Sequence, residues 1–274
     1  MKVRPLFISL FLTLVTQAVV ALQRPPSSAS SNKNRARNIS SSPKRSSFDV
    51  VAAGGAQERS STTKLSLSIS PDSMLATSLR FAGPLMFTVM QLASVKTAYG
   101  IHKAKSTGNL SPLPFTSLVV NCFVWTLYGI LRKDLTVLVP NAYGIVMGLI
   151  GVVTYQNYSQ QLHTKLYTAA MIISATAYKL FLNKNPSRIG LIGCSLAVIL
   201  SGSPLATVGT VLKDKSTAAL PFLTSFATWL NAFCWLSYGI LVAHDVMIFG
   251  PNGMGFALAS IQMVMFVLFG LPPQ

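Results

Sequence analysis

The chain carries the same pattern twice, in two segments that lie about 110 residues apart. The first segment, residues 114–141, reads PFTSLVVNCFVWTLYGILRKDLTVLVPN, and the second, residues 221–252, reads PFLTSFATWLNAFCWLSYGILVAHDVMIFGPN. Pro-Phe, Asn-x-x-x-Trp, Tyr-Gly-Ile-Leu, an Asp loop and Pro-Asn recur in the same order. A long internal repeat indicates that the two copies form the same structural unit.

The repeat belongs to a chain that is too apolar for an ordinary soluble domain. Hydrophobic residues make up 51% of it and charged residues 10%. Seven apolar runs, most near the ~20 residues that cross a bilayer, contain no Asp or Glu. Helices satisfy their own backbone hydrogen bonds in lipid, so the sequence predicts an all-α membrane protein with seven transmembrane helices. The runs are residues 82–101, 115–131, 135–155, 166–182, 189–212, 222–242 and 246–269.

The seven runs divide as three, one and three. Residues 79–158 form the first predicted repeat, residues 159–186 a linker helix, and residues 187–270 the second repeat. Three helices followed directly by their copy would be inverted in the membrane, and one added crossing makes the copies parallel. Two parallel triple-helix bundles related by an axis along the membrane normal create a central path between them.

The first 78 residues lie outside this pattern. Residues 1–22 resemble a secretory signal peptide, with an uncleaved anchor as the competing interpretation. Residues 23–78 are rich in Ser and Arg and are predicted to be disordered. They resemble either a plastid presequence or a disordered luminal tail. The sequence therefore predicts a multi-pass membrane protein of the plasma membrane or of a plastid or endomembrane, and leaves these locations open.

Several other classes of function find no support in the sequence. The formal net charge is +16, but the basic residues of the apolar part lie mostly between the runs, where lipid headgroups explain them better than nucleic acid does. The three cysteines fall inside apolar runs without a His nearby, so no metal site or other cofactor is predicted. The runs contain no Ser/His/Asp set, which argues against an enzyme.

Two Trp and two Asn are predicted to form one layer of a binding site. Trp125 and Asn141 each lie seven residues from the Asp loop between them, ~10 Å deep at 1.5 Å per residue, and Trp235 and Asn252 repeat this arrangement. An indole stacks on the C–H face of a sugar, and a carboxamide both donates to and accepts from hydroxyl groups. Either residue alone is also consistent with packing between helices, but two matched pairs favour a neutral, polyhydroxylated ligand.

Two Tyr one turn nearer the Asp loops are predicted to close the path. Tyr128 and Tyr238 lie three residues after the two Trp, on the same helix faces. Each can donate a hydrogen bond to the loop carboxylate of the other repeat, Tyr128 to Asp245 and Tyr238 to Asp134. The alternative is that both belong to an aromatic belt at the membrane surface.

Prolines recur toward the opposite ends of the helices. Pro114 and Pro221 stand where the second and sixth runs begin, and Pro204 lies within the fifth run. Proline removes a backbone hydrogen bond and allows a helix to bend, which could open and shut a path. At a helix start, proline is also simply a favourable first residue.

Together, these motifs resemble those of the SWEET sugar transporters. Lys-Ser-Thr, Pro-Phe, Trp-x-x-Tyr-Gly, Asp and Pro-Asn-x-x-Gly occur twice around a lone helix, and the resemblance covers about residues 82–270. The resemblance implies facilitative, bidirectional sugar transport by alternating access. It also implies substrate binding by Trp125, Asn141, Trp235 and Asn252, an outer gate of Tyr128, Asp245, Tyr238 and Asp134, and an inner hinge of Pro114, Pro204 and Pro221.

The chain departs from the family pattern at Ser94, which stands where the family has a fourth hinge proline. One turn before Pro204 lies Leu200, and Met90 holds the equivalent place before Ser94. With the two Trp, these bulky pocket walls favour a monosaccharide such as glucose. The sequence leaves a seven-helix receptor or sensor, or a carrier of another small solute, as alternatives. It also leaves membrane lipid and a second copy of the chain as possible partners, although one chain can enclose a path by itself.

Overall fold

In the computed structural model, the described residues are Thr13, 73–200 and 202–271, and they are helical almost throughout. Apart from Thr13, the predicted signal peptide lies outside them, as does most of the Ser/Arg-rich segment. The helices are α1 Met74–Ala104, α2 Leu113–Arg132, α3 Leu135–Tyr158, α4 Thr164–Leu182, α5 Pro186–Leu200, α6 Gly202–Asp214, α7 Phe222–Tyr238 and α8 Val246–Phe269.

Helix α1 begins before the point that the sequence predicts. The Ser73 hydroxyl oxygen accepts a hydrogen bond from the Ala76 backbone N–H at 3.1 Å and caps the helix at Met74. Residues 74–78 are therefore helical and do not belong to a disordered segment. The whole helix is 31 residues long and runs through Pro84 and Ser94.

Among the described residues, five segments are long and apolar enough to span a membrane: α2, α3, the stretch from α5 to α6, α7 with its continuation, and α8. The continuation of α7 is a π-helical turn over Gly239–Ala243. Helices α1 and α4, which carry Lys96 and Lys179, complete seven crossings within the described residues. The chain is thus an all-α, multi-pass membrane protein.

The helix contacts divide the crossings into two equivalent bundles. In the first repeat α3 packs against both α1 and α2, and in the second α8 packs against α5, α6 and α7. Between the repeats, α1 packs against α7 and α2 against α5, so the first helix of each repeat meets the second helix of the other. Helix α4 packs against α2 and α5. This arrangement confirms the predicted 3+1+3 fold.

Close packing at the Asp loops holds the second and third helices of each repeat together. A Cβ atom at Gly129 would lie 2.9 Å from the Leu138 backbone nitrogen, and one at Gly239 would lie 2.8 Å from the Phe249 backbone nitrogen. Only glycine allows backbones to approach this closely. Because Tyr128 and Tyr238 immediately precede these glycines, the contacts fix both tyrosines just below the loops.

Candidate functional site

A cavity of ≈ 190 Å³ lies between the two repeats. All four residues of the predicted layer line it, namely Trp125, Asn141, Trp235 and Asn252. No charged side chain occurs among the described residues that line the cavity. The cavity is therefore suited to a small neutral molecule that offers hydrogen bonds and C–H surface.

The two Asn side chains of the Pro-Asn pairs are held in the same way. Asn141 Nδ2 donates to the Val137 carbonyl oxygen at 2.8 Å, and Asn252 Nδ2 donates to the Ile248 carbonyl oxygen at 2.8 Å. Each Asn follows a proline within its helix, where the backbone hydrogen bonding is already interrupted. The bond fixes each carboxamide and leaves its second proton and its oxygen for a ligand.

A second pair of carboxamides lines the cavity, and it was not among the site residues predicted from the sequence. Asn121 and Asn231 lie one turn before the two Trp on α2 and α7. Within the described part of the chain, Asn231 Oδ1 is buried without a hydrogen-bond partner. A buried polar atom left unpaired costs ~1–3 kcal/mol, which a ligand hydroxyl would relieve. The repeated Asn-x-x-x-Trp motif is the sequence signal from which this pair could have been predicted.

The aromatic rings connect the cavity to the Asp loops. The Trp125 and Tyr128 rings meet edge to face with centroids 5.4 Å apart, and the Trp235 and Tyr238 rings do so at 5.8 Å. Such T-shaped pairs are a favoured aromatic geometry. The position of each pocket indole is therefore tied to that of the tyrosine above it.

Both hydrogen bonds that the sequence predicts between the repeats are present. Tyr128 Oη donates to Asp245 Oδ2 at 2.7 Å, and Tyr238 Oη donates to Asp134 Oδ2 at 2.8 Å. The other oxygen of each carboxylate caps a helix: Asp134 Oδ1 accepts from the Val137 N–H and Asp245 Oδ1 from the Met247 N–H. Each Asp thus serves at once as a helix cap and as an acceptor for the opposite repeat.

An ion pair that the sequence did not predict adds a third contact on this side. Arg132 Nε lies 3.1 Å from Asp245 Oδ2, and 45% of the Arg132 side chain is exposed. Arg132 and Asp245 also line a polar recess of ≈ 340 Å³ above the tyrosines. Sequence spacing placed Arg132 in a loop but could not say which way its long side chain turns.

Comparison with known proteins identifies the fold and its relatives. A family model described as "Sugar efflux transporter for intercellular exchange" matches residues 79–163 and 187–273, which are the two repeats on either side of α4. The chain belongs to this family, the SWEET family. It is a family of transporters and not of enzymes.

Curated SWEET relatives align over most of their own length. Bidirectional sugar transporter N3 of Medicago truncatula is 30% identical, over 71% of this chain and 76% of the relative. Bidirectional sugar transporter SWEET17 of Arabidopsis thaliana is 30% identical, over 68% and 82% respectively. A solved structure of a eukaryotic SWEET transporter superposes with a TM-score of 0.62 and 25% identity, covering 70% of this chain and 95% of the other.

The predicted pocket walls of this SWEET protein are not found among the described residues that line the cavity. Phe87 and Ala197, one turn before Met90 and Leu200, line it instead. Leu200 is 41% exposed. The walls thus differ between the repeats, with a large aromatic side chain on α1 and a single methyl group on α5.

The hinge prolines occupy three different settings. Pro114 is the second residue of α2, Pro221 is the N-cap residue of α7, and Pro204 lies in the first turn of α6. Ser94 lies inside the unbroken α1. The hinge role of these positions stays a prediction.

The described residues contain no group of three His, Cys, Asp or Glu side chains able to hold a metal ion.

Proposed function

We propose that this protein carries sugars across a membrane in both directions, down their gradient, by alternating access. The observation that carries the proposal is the cavity layer, in which two indoles and two pairs of carboxamides face each other without a charged group among the described lining residues. Carboxamides suit the hydroxyl groups of a sugar, and indoles suit its C–H faces. An organic acid or an amino acid would call for a charged partner in this layer. The names of the SWEET relatives point to the same substrate class.

Alternating access needs a side that closes and a side that bends. We propose that the Tyr128–Asp245 and Tyr238–Asp134 pairs form the outer gate, which is closed in this conformation. The inner hinge is assigned to Pro114, Pro204 and Pro221. With Ser94 in place of a fourth proline, either the first helix bends less than its counterpart or Pro84, which lies within α1, supplies a bend elsewhere.

The decisive experiment is sugar counterflow in proteoliposomes that contain the full chain. We expect saturable uptake of labelled glucose, acceleration by unlabelled glucose on the other side, and no dependence on a proton gradient. Protein-free liposomes provide the baseline. Glucose binding without counterflow would instead indicate a receptor or sensor, and absence of both from correctly inserted protein would indicate another solute.

The size of the cavity leads to a prediction about selectivity. At ≈ 190 Å³ it is smaller than the ~300–1,000 Å³ pockets of drug-sized ligands. A monosaccharide is therefore favoured over a disaccharide, and we expect glucose flux to exceed sucrose flux by roughly 10-fold or more, because overfilling a packed site costs ~1–3 kcal/mol. Competition between the two labelled sugars in one proteoliposome preparation measures the ratio. Faster sucrose than glucose flux would contradict the prediction.

The proposal extends to the cellular setting of the protein. Residues 1–22 are assigned to a signal peptide and the following Ser/Arg-rich residues to a targeting presequence or tail. The exposed apolar surface of the helices is assigned to membrane lipid. The cavity forms within one chain, so transport does not require a second copy. Sequencing the N-terminus of the protein purified from its native membrane would test whether the leader is removed.

A further inference from the structure

Two glycines at equivalent places in the repeats contact the two pocket indoles. Gly83 lies on α1 and Gly193 on α5, at corresponding positions of the first helix of each repeat. A Cβ atom at Gly83 would lie 3.0 Å from Trp235 Cε2, and one at Gly193 would lie 2.9 Å from Trp125 Cε2. Both glycines are buried. Each contact joins one repeat to the other, so the indole of each repeat packs against the helix backbone of the other repeat.

The same indoles are confined on another side by the outer gate. Tyr238 meets the Trp235 ring edge to face, and Tyr128 meets the Trp125 ring in the same way. Each tyrosine is in turn fixed by its hydrogen bond to an Asp of the other repeat. An indole pushed away from its glycine therefore has to move toward the cavity or against the gate tyrosine.

We propose that Gly83 and Gly193 are positioning residues that set the place of the two pocket indoles and thereby the width of the sugar cavity. The proposal rests on the transport function proposed above. The added Cβ atom would be closer than an ordinary van der Waals contact by a few tenths of an ångström or more, so the indole must shift. Pocket complementarity is sensitive to displacements on this scale.

Helix propensity does not account for these two glycines. Alanine is the better helix former, so glycine in the middle of α1 and α5 is unfavourable unless the space is needed. A Cβ atom added at Gly100 on α1 or at Gly209 on α6 would meet no described atom within 4 Å, so other glycines of the same crossings have room for a side chain. Close contacts also occur at other glycines, such as Gly190 against Met247 Cγ at 2.7 Å, but those at Gly83 and Gly193 fall on the pocket indoles.

The test compares Gly83→Ala and Gly193→Ala with the matched controls Gly100→Ala and Gly209→Ala. In glucose counterflow we expect the first two to raise the half-saturation concentration about 10-fold, by misplacing a binding group by a fraction of an ångström, and the controls to leave it unchanged. The melting temperatures of all four variants should stay close to that of the parent protein. A lower melting temperature with an unchanged half-saturation concentration would show a purely structural role and overturn the proposal.

Second-site replacement tests whether each glycine acts through its own indole. Phenylalanine lacks the fused ring atoms that the new Cβ would meet. We therefore expect Gly83→Ala to have no further effect on half-saturation in a Trp235→Phe background, but its full effect in a Trp125→Phe background. The converse is expected for Gly193→Ala. Equal effects in both backgrounds would overturn the pairing, and this comparison remains informative if one single variant folds poorly.

Fluorescence separates failure of this proposal from failure of the transport function. With Trp125 and Trp229 replaced by Phe, Trp235 is the only tryptophan of the chain. Gly83→Ala should then shift its emission spectrum, whereas Gly100→Ala should not. A shift in a protein that carries no sugar would leave the positioning role standing and refute only the transport function. No shift would refute the positioning role.

Discussion

Replacing Asn141 and Asn252 together by alanine is expected to lower glucose counterflow by about three orders of magnitude. Each carboxamide retains one proton and one oxygen for the sugar after its bond to the helix backbone. Losing roughly two hydrogen bonds at ~1 kcal/mol each corresponds to about 30-fold per residue, and the effects multiply if the two sites act independently. Counterflow of labelled glucose at substrate concentrations below half-saturation measures the loss.

Because the two repeats are equivalent, the single variants provide a second test of this prediction. Asn141→Ala and Asn252→Ala should have similar effects singly, because both side chains make the same backbone contact at 2.8 Å. Alanine is well tolerated in a helix, so the melting temperature should not fall. Asn157→Ala, at the exposed end of α3, is the matched control and should transport normally. A double variant that keeps half of the flux would exclude these residues from the sugar site.

The second large effect is expected at Asp245. This buried carboxylate accepts hydrogen bonds from Tyr128 at 2.7 Å and from the Met247 N–H at 3.0 Å, and it pairs with Arg132 at 3.1 Å. Asp245→Ala removes all three contacts and is expected to shift the balance between closed and open outer gate by about 100-fold, the equivalent of ~3 kcal/mol. Transport should fall by roughly tenfold or more, because the carrier then rarely closes on this side.

A cysteine introduced at Ala197, which lines the cavity, reports this shift directly. In a background without the native cysteines, a membrane-impermeant thiol reagent added on the outer side should label it faster in Asp245→Ala than in the parent. Asp245→Asn keeps an acceptor for Tyr128 and should lie between the two. Asp214→Ala, which removes an exposed carboxylate at the opposite end of the helices, is the control. Unchanged labelling in Asp245→Ala would refute the gate assignment.

Replacing Asp134 by alanine is expected to open the outer gate less than replacing Asp245 does. Asp134 accepts from Tyr238 at 2.8 Å and caps α3, but within the described residues the only ion pair closer than 4.0 Å is the one at Asp245. The partly exposed position of Arg132 limits the contribution of that pair to ~1 kcal/mol or less. The difference between the two Asp variants should therefore be modest, about fivefold or less in labelling rate.

The sequence predicted the fold and the placement of four cavity-lining residues because the repeat imposes two copies of each constraint. A single Trp or Asn in an apolar helix is ambiguous, but Trp125 and Trp235 at matched depths predicted the layer. The cross-repeat partners of Tyr128 and Tyr238 also followed, since helix hairpins of nearly equal length bring each tyrosine to the level of the opposite loop. These inferences used only rise per residue and symmetry.

What the sequence could not predict depends on cavity depth and side-chain direction. Phe87 and Met90 lie on the same face of α1, ~4.5 Å apart along its axis, and the sequence does not show at which of these two depths the cavity lies. The flexible side chain of Arg132 can reach the opposite repeat or solvent with little difference in spacing. The π-helical turn at Gly239–Ala243 adds a residue to one turn of α7, which no propensity signal at this position indicated.

The double use of Asp134 and Asp245 affects how easily the path can switch sides. Each carboxylate holds its own helix N-terminus through one oxygen and the opposing tyrosine through the other. When the tyrosines withdraw, the caps persist and neither anion loses all of its partners, so the two end states differ by only about a few kcal/mol. A carrier that is driven only by the substrate gradient needs two end states of similar free energy. A deep free-energy minimum in either state would hold the protein there after one transport step.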